Sequence, residues 1–152
     1  MDAEKYLHLL KEKLLNPSNF KPILIARSWA KTAPEAAGVY ALKENGNIVY
    51  VGETGNLQGR MYDLLDSRQH TVRRTIGERL FVNIGGFEKA TTRKKFPIHI
   101  EELVNDHICV KLSVAYIEVS LGRKELEELI EGEIEKNIKL NKRSKRKLTS
   151  KN

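Results

Sequence analysis

The chain has 152 residues, 40% of them hydrophobic and 31% charged, with a formal net charge of +7 and an isoelectric point near 9.5. This length suits one domain with its own core. No apolar run is long enough to span a membrane and no leader pattern is present, so we expect a cytoplasmic protein, nucleoid-associated if it is bacterial. A single cysteine, Cys109, excludes an internal disulfide and a cysteine-built zinc site. The positive charge favours a polyanionic partner.

The N-terminal segment is predicted to be a helical extension, residues 1–36, packed on the core. Apolar residues recur at helical spacing from Asp2 to Leu15, and Asn16-Pro17 ends that helix. Trp29 is expected to anchor the remainder of the segment. Packing, rather than chemistry, is the predicted role of this region.

A hairpin is predicted next. Two apolar runs, Val39–Leu42 and Ile48–Val51, flank Asn45-Gly46, which is a strong signal for a tight turn. We predict a three-residue loop that includes Glu44, because Tyr40 then lies opposite Tyr50 and both rings share one face of the sheet. A two-residue loop would place the tyrosines on opposite faces.

The same register assigns every side chain of the hairpin to a face. One face is predicted to contain Val39, Ala41, Val49 and Val51. The other is predicted to contain Tyr40, Leu42, Ile48, Tyr50 and Gly52.

Helices and one further strand follow the hairpin. Helices are predicted from Leu57 to Asp66 with Asn56 as cap, from Thr71 to Phe81, from Pro97 to Asp106 and from Arg123 to Ile138, and a third strand from Ile108 to Ile117. Arg60 borders the apolar stripe of the first of these helices. Its guanidinium needs a partner, which is either a structural carboxylate or a phosphate.

The last helix is rich in glutamate. At helical spacing Glu127 falls at the edge of the apolar stripe, Glu133 within it, and Glu128 outside it. A carboxylate beside a core requires a cation, and the candidates are an arginine and a divalent metal.

Basic residues are concentrated in three places. Those predicted to contact nucleic acid are Arg68, Arg73, Arg74, Arg93, Lys94, Lys95, Lys142, Arg143, Lys145, Arg146 and Lys147. The last five belong to a predicted flexible basic tail, residues 142–152. A solvated basic surface is the alternative. His70, close to the first group, is a candidate general base, helix cap or surface residue.

The hairpin resembles the signature of the GIY-YIG nuclease family. Gly38-Val39-Tyr40 is followed by Tyr50-Val51-Gly52, and Arg60 follows Tyr50 at the same interval of ten residues that separates the two tyrosines. Thr54, Asn56 and Leu57 also match. The resemblance extends over residues 37–141, which we predict to be the nuclease domain.

The resemblance implies an α+β fold, a small three-stranded antiparallel sheet flanked by helices, and metal-dependent hydrolysis of DNA phosphodiesters. Its catalytic residues would be Tyr40, Tyr50, Arg60 and Glu127, supported by Gly38, Gly52, Thr54 and Asn141. Glu127 would bind Mg²⁺ or Mn²⁺, with Glu128 as the first alternative and Glu125 and Glu133 also open. Cleavage of both strands would need a homodimer or two encounters.

One position departs from the family. Many members have a histidine or tyrosine one helical turn after the arginine, where this chain has Leu64, in the middle of the apolar stripe of that helix. Tyr62 and His70 are the candidates to replace it. The departure keeps a second reading open, a catalytically inactive nucleic-acid-binding module on the same fold. A third is an interaction protein whose basic tail binds another polyanion.

Overall fold

The computed structural model describes residues 2–141. Helices in this range are α1 (Ala3–Leu15), α2 (Arg27–Ala30), α3 (Leu57–Asp63), α4 (Thr71–Phe81), α5 (Ile98–Lys111) and α6 (Arg123–Glu131), and a 3₁₀ turn spans Pro17–Asn19. Strands are β1 (Lys21–Pro22), β2 (Gly38–Glu44), β3 (Asn47–Thr54) and β4 (Leu112–Glu118). The predicted basic tail, with Lys142, Arg143, Lys145, Arg146 and Lys147, lies outside the described residues.

The described strands form one antiparallel sheet in the order β1-β4-β2-β3. The predicted α+β class, an antiparallel sheet flanked by helices, is confirmed. The sheet has four strands rather than three, because Lys21 and Pro22 pair with Val114 and Ser113 of β4. The N-terminal segment therefore contributes backbone to the sheet as well as a packed helix.

Each face of the sheet has its own hydrophobic core. On one face, which we call the tyrosine face, Tyr40 and Tyr50 pack against apolar side chains of α3, α4 and α5. On the opposite face, Val39, Ala41 and Val51 pack against α1 and α6. None of the helices within residues 2–141 is both long and apolar enough to cross a membrane.

The loop of the hairpin is shorter than predicted. Glu44 pairs directly with Asn47, which leaves only Asn45 and Gly46 at the tip, with φ angles of 51° and 80°. Both residues are left-handed, as a two-residue type I′ turn requires. The prediction of a three-residue loop is wrong, because asparagine tolerates the left-handed conformation well enough to take the first position of this turn.

A β-bulge nevertheless places both tyrosines on one face. Leu42 pairs with Tyr50, but the next residue, Lys43, pairs with Ile48, so that Val49 is the extra residue. Tyr40 consequently lies opposite Gly52, diagonal to Tyr50 rather than opposite it. The bulge also exchanges two assignments, since Val49 packs in the core of the tyrosine face and Ile48 packs against the opposite one.

Helix α5 continues further than the sequence indicated. It ends at Lys111, so the predicted strand from Ile108 begins only at Leu112. Ile108 is buried in the helix whereas Val110 is 75% exposed, so the apolar alternation at these residues belongs to the last helical turn. In the same way α6 ends at Glu131 rather than Ile138, and α3 at Asp63 rather than Asp66.

Arg73 joins α4 to α5 from within the protein. Its side chain is completely buried, and Nη2 lies 2.6 Å from Glu101 Oε1 and 2.7 Å from Asn105 Oδ1. Nε donates to Ser67 Oγ, whose hydroxyl donates to the same carboxylate oxygen. The prediction that Arg73 contacts nucleic acid is therefore wrong, because its charge is occupied inside the fold.

We expect Arg73→Met to lower the free energy of unfolding by about 3–5 kcal/mol, because it leaves the Glu101 carboxylate without its buried cation. Arg74→Met is the matched control, since the Arg74 guanidinium donates only to the backbone oxygens of Ser67 and Arg68 and its loss should cost about 1 kcal/mol. Urea unfolding of both variants measures the difference. An equal loss of unfolding free energy in both variants would contradict a larger contribution from the buried ion pair of Arg73 with Glu101.

Candidate functional site

Tyr40 packs against Gly52. A β-carbon built on Gly52 would come within 2.7 Å of Tyr40 Cε1 and Cζ and 2.8 Å of its hydroxyl oxygen. Neither Gly52 nor Gly38 has a positive φ, so space rather than backbone conformation requires these glycines. At Gly38 the same β-carbon would collide with the Ile117 carbonyl oxygen and the Leu57 side chain. Gly52 thus leaves room for the Tyr40 ring between β2 and β3, and Gly38 lets β2 approach β4 and α3 closely.

Four polar side chains meet over this contact, and we call them the tyrosine cluster: Tyr40, Tyr50, Arg60 and His70. The Tyr40 hydroxyl oxygen lies 2.8 Å from His70 Nε2, accepts from Arg60 Nε at 3.1 Å, and donates to the Tyr50 hydroxyl at 3.4 Å. Tyr40 and His70 are fully buried and Tyr50 is 7% exposed. The three residues Tyr40, Tyr50 and Arg60, chosen from the sequence, therefore lie together.

Local turns place Arg60 in the cluster. The Thr54 hydroxyl accepts from the Asn56 amide, and the Asn56 side chain then accepts from the Gly59 amide and caps α3. The Leu57 amide donates to the Ala36 carbonyl, which joins the start of α3 to the N-terminal segment. Arg60 follows one turn later and faces Tyr40.

His70 reaches the cluster as the cap of the next helix. Its Nδ1 accepts from the Val72 amide at 3.2 Å at the start of α4, while its Nε2 faces Tyr40. The sequence offered the cap as one option for this residue, and a polar residue directly before a predicted helix was the available signal. Its simultaneous contact with Tyr40 could not be read from the sequence.

Burial sets the protonation of the cluster. Burial, assisted by Tyr50, raises the pKa of Tyr40 well above its ordinary value although Arg60 acts in the opposite direction. Burial, together with the charges of Arg60, Arg74 and Arg73, lowers the pKa of His70 well below its ordinary value. Near neutral pH, Tyr40 is a protonated phenol and His70 a neutral imidazole.

Arg60 remains a cation with one side towards solvent. Burial opposes its charge, but the neighbouring oxygens of Tyr40, Tyr50 and Asp63 outweigh that effect and raise its pKa above the ordinary value. Nη1 donates to Asp63 Oδ2 and to the Gln69 carbonyl, each at 3.1 Å, and a quarter of the side chain is exposed. The guanidinium is thus fixed at the rim of the cluster, where an oxyanion can approach it.

Glu127 lies at the outer edge of β3. Helix α6 packs on the opposite face, yet Glu127 Oε2 accepts from the amide of Glu53 at 3.0 Å, and Glu53 directly follows Gly52. Arg123 Nε donates to Glu53 Oε1 at 3.1 Å beside it. Among the alternatives, Glu125 and Glu128 are exposed, and Glu133 is ion-paired with Lys11 at 2.7 Å.

Asn141 occupies the same edge. Its Oδ1 accepts from the Val51 amide at 3.0 Å and its Nδ2 donates to the Val51 carbonyl at 2.7 Å. The Leu140 amide donates to the Val49 carbonyl at 2.7 Å. Asn141 therefore fixes the backbone of β3 between Tyr50 and Gly52, which is a structural contact that suits the supporting role predicted for it.

The candidate Tyr62 and the departing position Leu64 both lie apart from the hydrogen bonds of the cluster. Tyr62 packs under the Arg27 guanidinium, 4.5 Å from the ring centroid. Leu64 is fully buried in the core of the tyrosine face, as its place in the apolar stripe indicated. His70, rather than Tyr62, is the side chain that contacts Tyr40.

The remaining basic candidates differ in availability. Arg68 forms a double hydrogen bond with Asp66 and lowers the pKa of that carboxyl to about 2. Arg74 is half-buried against backbone carbonyls. Arg93, Lys94 and Lys95 are exposed, and Lys94 pairs with Glu88. Nucleic-acid contact by these residues stays a prediction.

The chemistry of Glu127 suits a hard cation. Within residues 2–141 no group of three or more histidine, cysteine, aspartate or glutamate side chains is arranged to hold a metal ion. Mg²⁺, however, is commonly bound by one or two carboxylates with water and substrate phosphate completing its shell. A single carboxylate beside the edge of β3 fits that requirement.

Neither a protein-family model nor a curated protein matches the chain. Among solved structures it is similar to the GIY-YIG N-terminal endonuclease domain of UvrC from Thermotoga maritima. A point mutant bound to its catalytic divalent cation is 19% identical over 77% of this chain and 94% of that chain, with a TM-score of 0.39. A form bound to magnesium is 17% identical over 76% and 94%, with a TM-score of 0.38. Likeness at this level assigns no activity to the chain.

We expect Gly52→Ala to lower the free energy of unfolding by about 1–3 kcal/mol, because the new methyl group displaces the Tyr40 ring. Gly55→Ala is the matched control, since nothing lies within 4 Å of its β-carbon and its φ is not positive. Urea unfolding measures stability, and the near-ultraviolet circular dichroism of the buried tyrosines reports the displacement. A Gly52→Ala variant as stable as Gly55→Ala, with an unchanged spectrum, would contradict the packing role.

Proposed function

We propose that this protein is a metal-dependent endonuclease that hydrolyses phosphodiester bonds of DNA in the cytoplasm. The observation that carries the proposal is the meeting of two tyrosine hydroxyls with a partly exposed arginine, at the point where Tyr40 packs on Gly52. Tyrosines on one face of a sheet usually serve packing alone. Here both hydroxyls lie in a polar cluster whose cation reaches the surface.

Arg60 would hold the scissile phosphate. Its planar guanidinium suits phosphate oxygens, and its contacts with Tyr40, Asp63 and the Gln69 carbonyl fix its orientation before substrate arrives. A fixed cation spends little conformational entropy on binding and can stabilise charge that develops on the phosphate.

A tyrosine hydroxyl would orient the attacking water. Tyr50 and Tyr40 are the two candidates, and both phenols lie within the same cluster. The cluster keeps Tyr40 protonated near neutral pH, so Tyr40 acts as a hydrogen-bond donor there rather than as a base.

Glu127 would hold the metal ion, Mg²⁺ or Mn²⁺. Its carboxylate is fixed at the β3 edge by the Glu53 amide, next to the Gly52 on which Tyr40 rests. The ion would supply Lewis-acid stabilisation of the negative charge on phosphate oxygens. Four further residues would support this arrangement. Gly38 and Gly52 allow close packing, Thr54 accepts from the Asn56 amide, and Asn141 holds the backbone of β3 at Val51.

A catalytically inactive nucleic-acid-binding module is the second candidate. The ion pair of Arg60 with Asp63 favours it, because a carboxylate on the guanidinium competes with a phosphate. The exposed Arg93, Lys94 and Lys95 would serve either function.

A nuclease with one such site would cut both strands as a homodimer or in two encounters.

Cleavage of supercoiled plasmid at low salt, with Mg²⁺ or with EDTA, tests the proposal. We expect Mg²⁺-dependent nicking, reduced by at least about 100-fold in Arg60→Ala and in Glu127→Gln, because each loses a group that stabilises transition-state charge. Glu128→Gln is the matched control, since that neighbouring glutamate is exposed, and it should nick like the wild type.

Nicking that survives Glu127→Gln but not Glu128→Gln would move the metal to Glu128. Absence of nicking together with a salt-sensitive gel shift would favour the binding module. Wild-type nicking in EDTA would contradict the metal dependence.

A further inference from the structure

We propose that His70 is a positioning residue that gives the tyrosine cluster a single hydrogen-bond direction, so that Tyr40 donates to Tyr50 and Tyr50 alone presents its hydroxyl to the substrate. The direction of the hydrogen bonds is a property of the folded protein, whereas the role of Tyr50 towards substrate rests on the proposed nuclease function.

The backbone amide of Val72 fixes the tautomer of His70. An amide N–H can only donate, so Nδ1, 3.2 Å away, must be the acceptor and carry no hydrogen. A neutral imidazole then carries its hydrogen on Nε2. The fully buried position beside Arg60, Arg73 and Arg74 keeps the pKa of His70 low and the ring neutral.

This tautomer decides what Tyr40 can do. Its hydroxyl oxygen receives the His70 Nε2 hydrogen at 2.8 Å and the Arg60 Nε hydrogen at 3.1 Å, which occupies both lone pairs. The hydrogen of Tyr40 is left, and the neighbouring acceptor is the Tyr50 oxygen at 3.4 Å. Burial holds the hydrogen on Tyr40, since the pKa of this phenol is raised well above its ordinary value.

Tyr50 ends the sequence of hydrogen bonds. Its oxygen accepts from Tyr40, so its own hydrogen points away from Tyr40. Tyr50 is also the phenol with some solvent exposure, 7% against none for Tyr40. A water or phosphate oxygen at the exposed side of the cluster would therefore contact the Tyr50 hydroxyl. Tyr40 would meanwhile donate its hydrogen to the Tyr50 oxygen from the buried side.

Two substitutions separate this role from capping of α4. In His70→Asn, the side-chain oxygen stands as many bonds from Cα as Nδ1 and keeps the cap, but nothing reaches Tyr40. In His70→Gln, the side-chain nitrogen stands as many bonds from Cα as Nε2 and can donate to Tyr40, but the cap is lost. A purely structural His70 predicts that Asn is the better replacement, whereas a positioning role predicts Gln.

The tautomer is measured directly in the wild-type protein. Long-range ¹H–¹⁵N NMR of the ¹⁵N-labelled chain at pH 7 should show His70 neutral, with the hydrogen on Nε2 and an unprotonated Nδ1. Hydrogen on Nδ1, or a protonated ring at pH 7, would overturn the proposal. This readout needs no activity, so it remains decisive even when the protein does not cut DNA.

Nicking kinetics then test the role towards substrate. We expect His70→Asn to keep KM and the cap of α4 but to lower kcat about tenfold, because Tyr40 loses a donor and with it the direction of its hydroxyl. His70→Gln should be less stable than His70→Asn, because it loses the cap of α4. Its kcat should nevertheless be higher than that of His70→Asn, because its side-chain nitrogen can donate to Tyr40. The reverse order, or equal kcat values in both variants, would overturn the positioning role. Absence of nicking in the wild type would refute the nuclease proposal and leave the tautomer result standing.

Discussion

The register of β3 is the constraint on which the candidate site depends. Side chains alternate along a strand, so a tight two-residue turn without any irregularity would direct Tyr50 away from Tyr40. The extra residue, Val49, shifts the register by one residue between Leu42 and Lys43. Leu42 then pairs with Tyr50, and both tyrosines lie on one face. It also places Tyr40 opposite Gly52, where the absence of a side chain leaves room for the ring. Bulges commonly redirect side chains beside functional sites, and this one brings two hydroxyls within 3.4 Å.

Burial of polar groups over that contact makes the cluster specific. A phenol, an imidazole and a guanidinium in the interior are costly unless each finds its partners. Here the costs are offset jointly, because Tyr40 accepts from both Arg60 and His70 and donates to Tyr50. The same burial keeps Tyr40 protonated and His70 neutral, so each group has one hydrogen-bond role. The same burial and contacts thus stabilise the cluster and fix the protonation of Tyr40 and His70.

Sequence reasoning succeeded where the signal was local and failed where tertiary pairing decided. The place of the Asn45-Gly46 turn, although not its length, the cap at Asn56 and the buried Leu64 follow from short-range chemistry. The bulge at Val49 left no local signal, because Ile48 and Val49 suit either face equally. Ile108 and Val110 fitted both a strand and the last turn of a helix, and their burial distinguishes the two. Charge did not distinguish buried from exposed arginines either, since the adjacent residues Arg73 and Arg74 are fully buried and half-buried, respectively.

The outer edge of β3 connects the two halves of the proposed site. An unpaired edge strand exposes backbone groups that can pair with another chain. In this protein Leu140 binds the Val49 carbonyl, Asn141 binds both groups of Val51, and Glu127 accepts from the Glu53 amide. The outward-facing backbone groups of β3 thus find hydrogen-bond partners in residues from the C-terminal part of the described chain. The contacts that protect this edge therefore also place a carboxylate of α6, a helix packed on the opposite face, beside Gly52 of the tyrosine face.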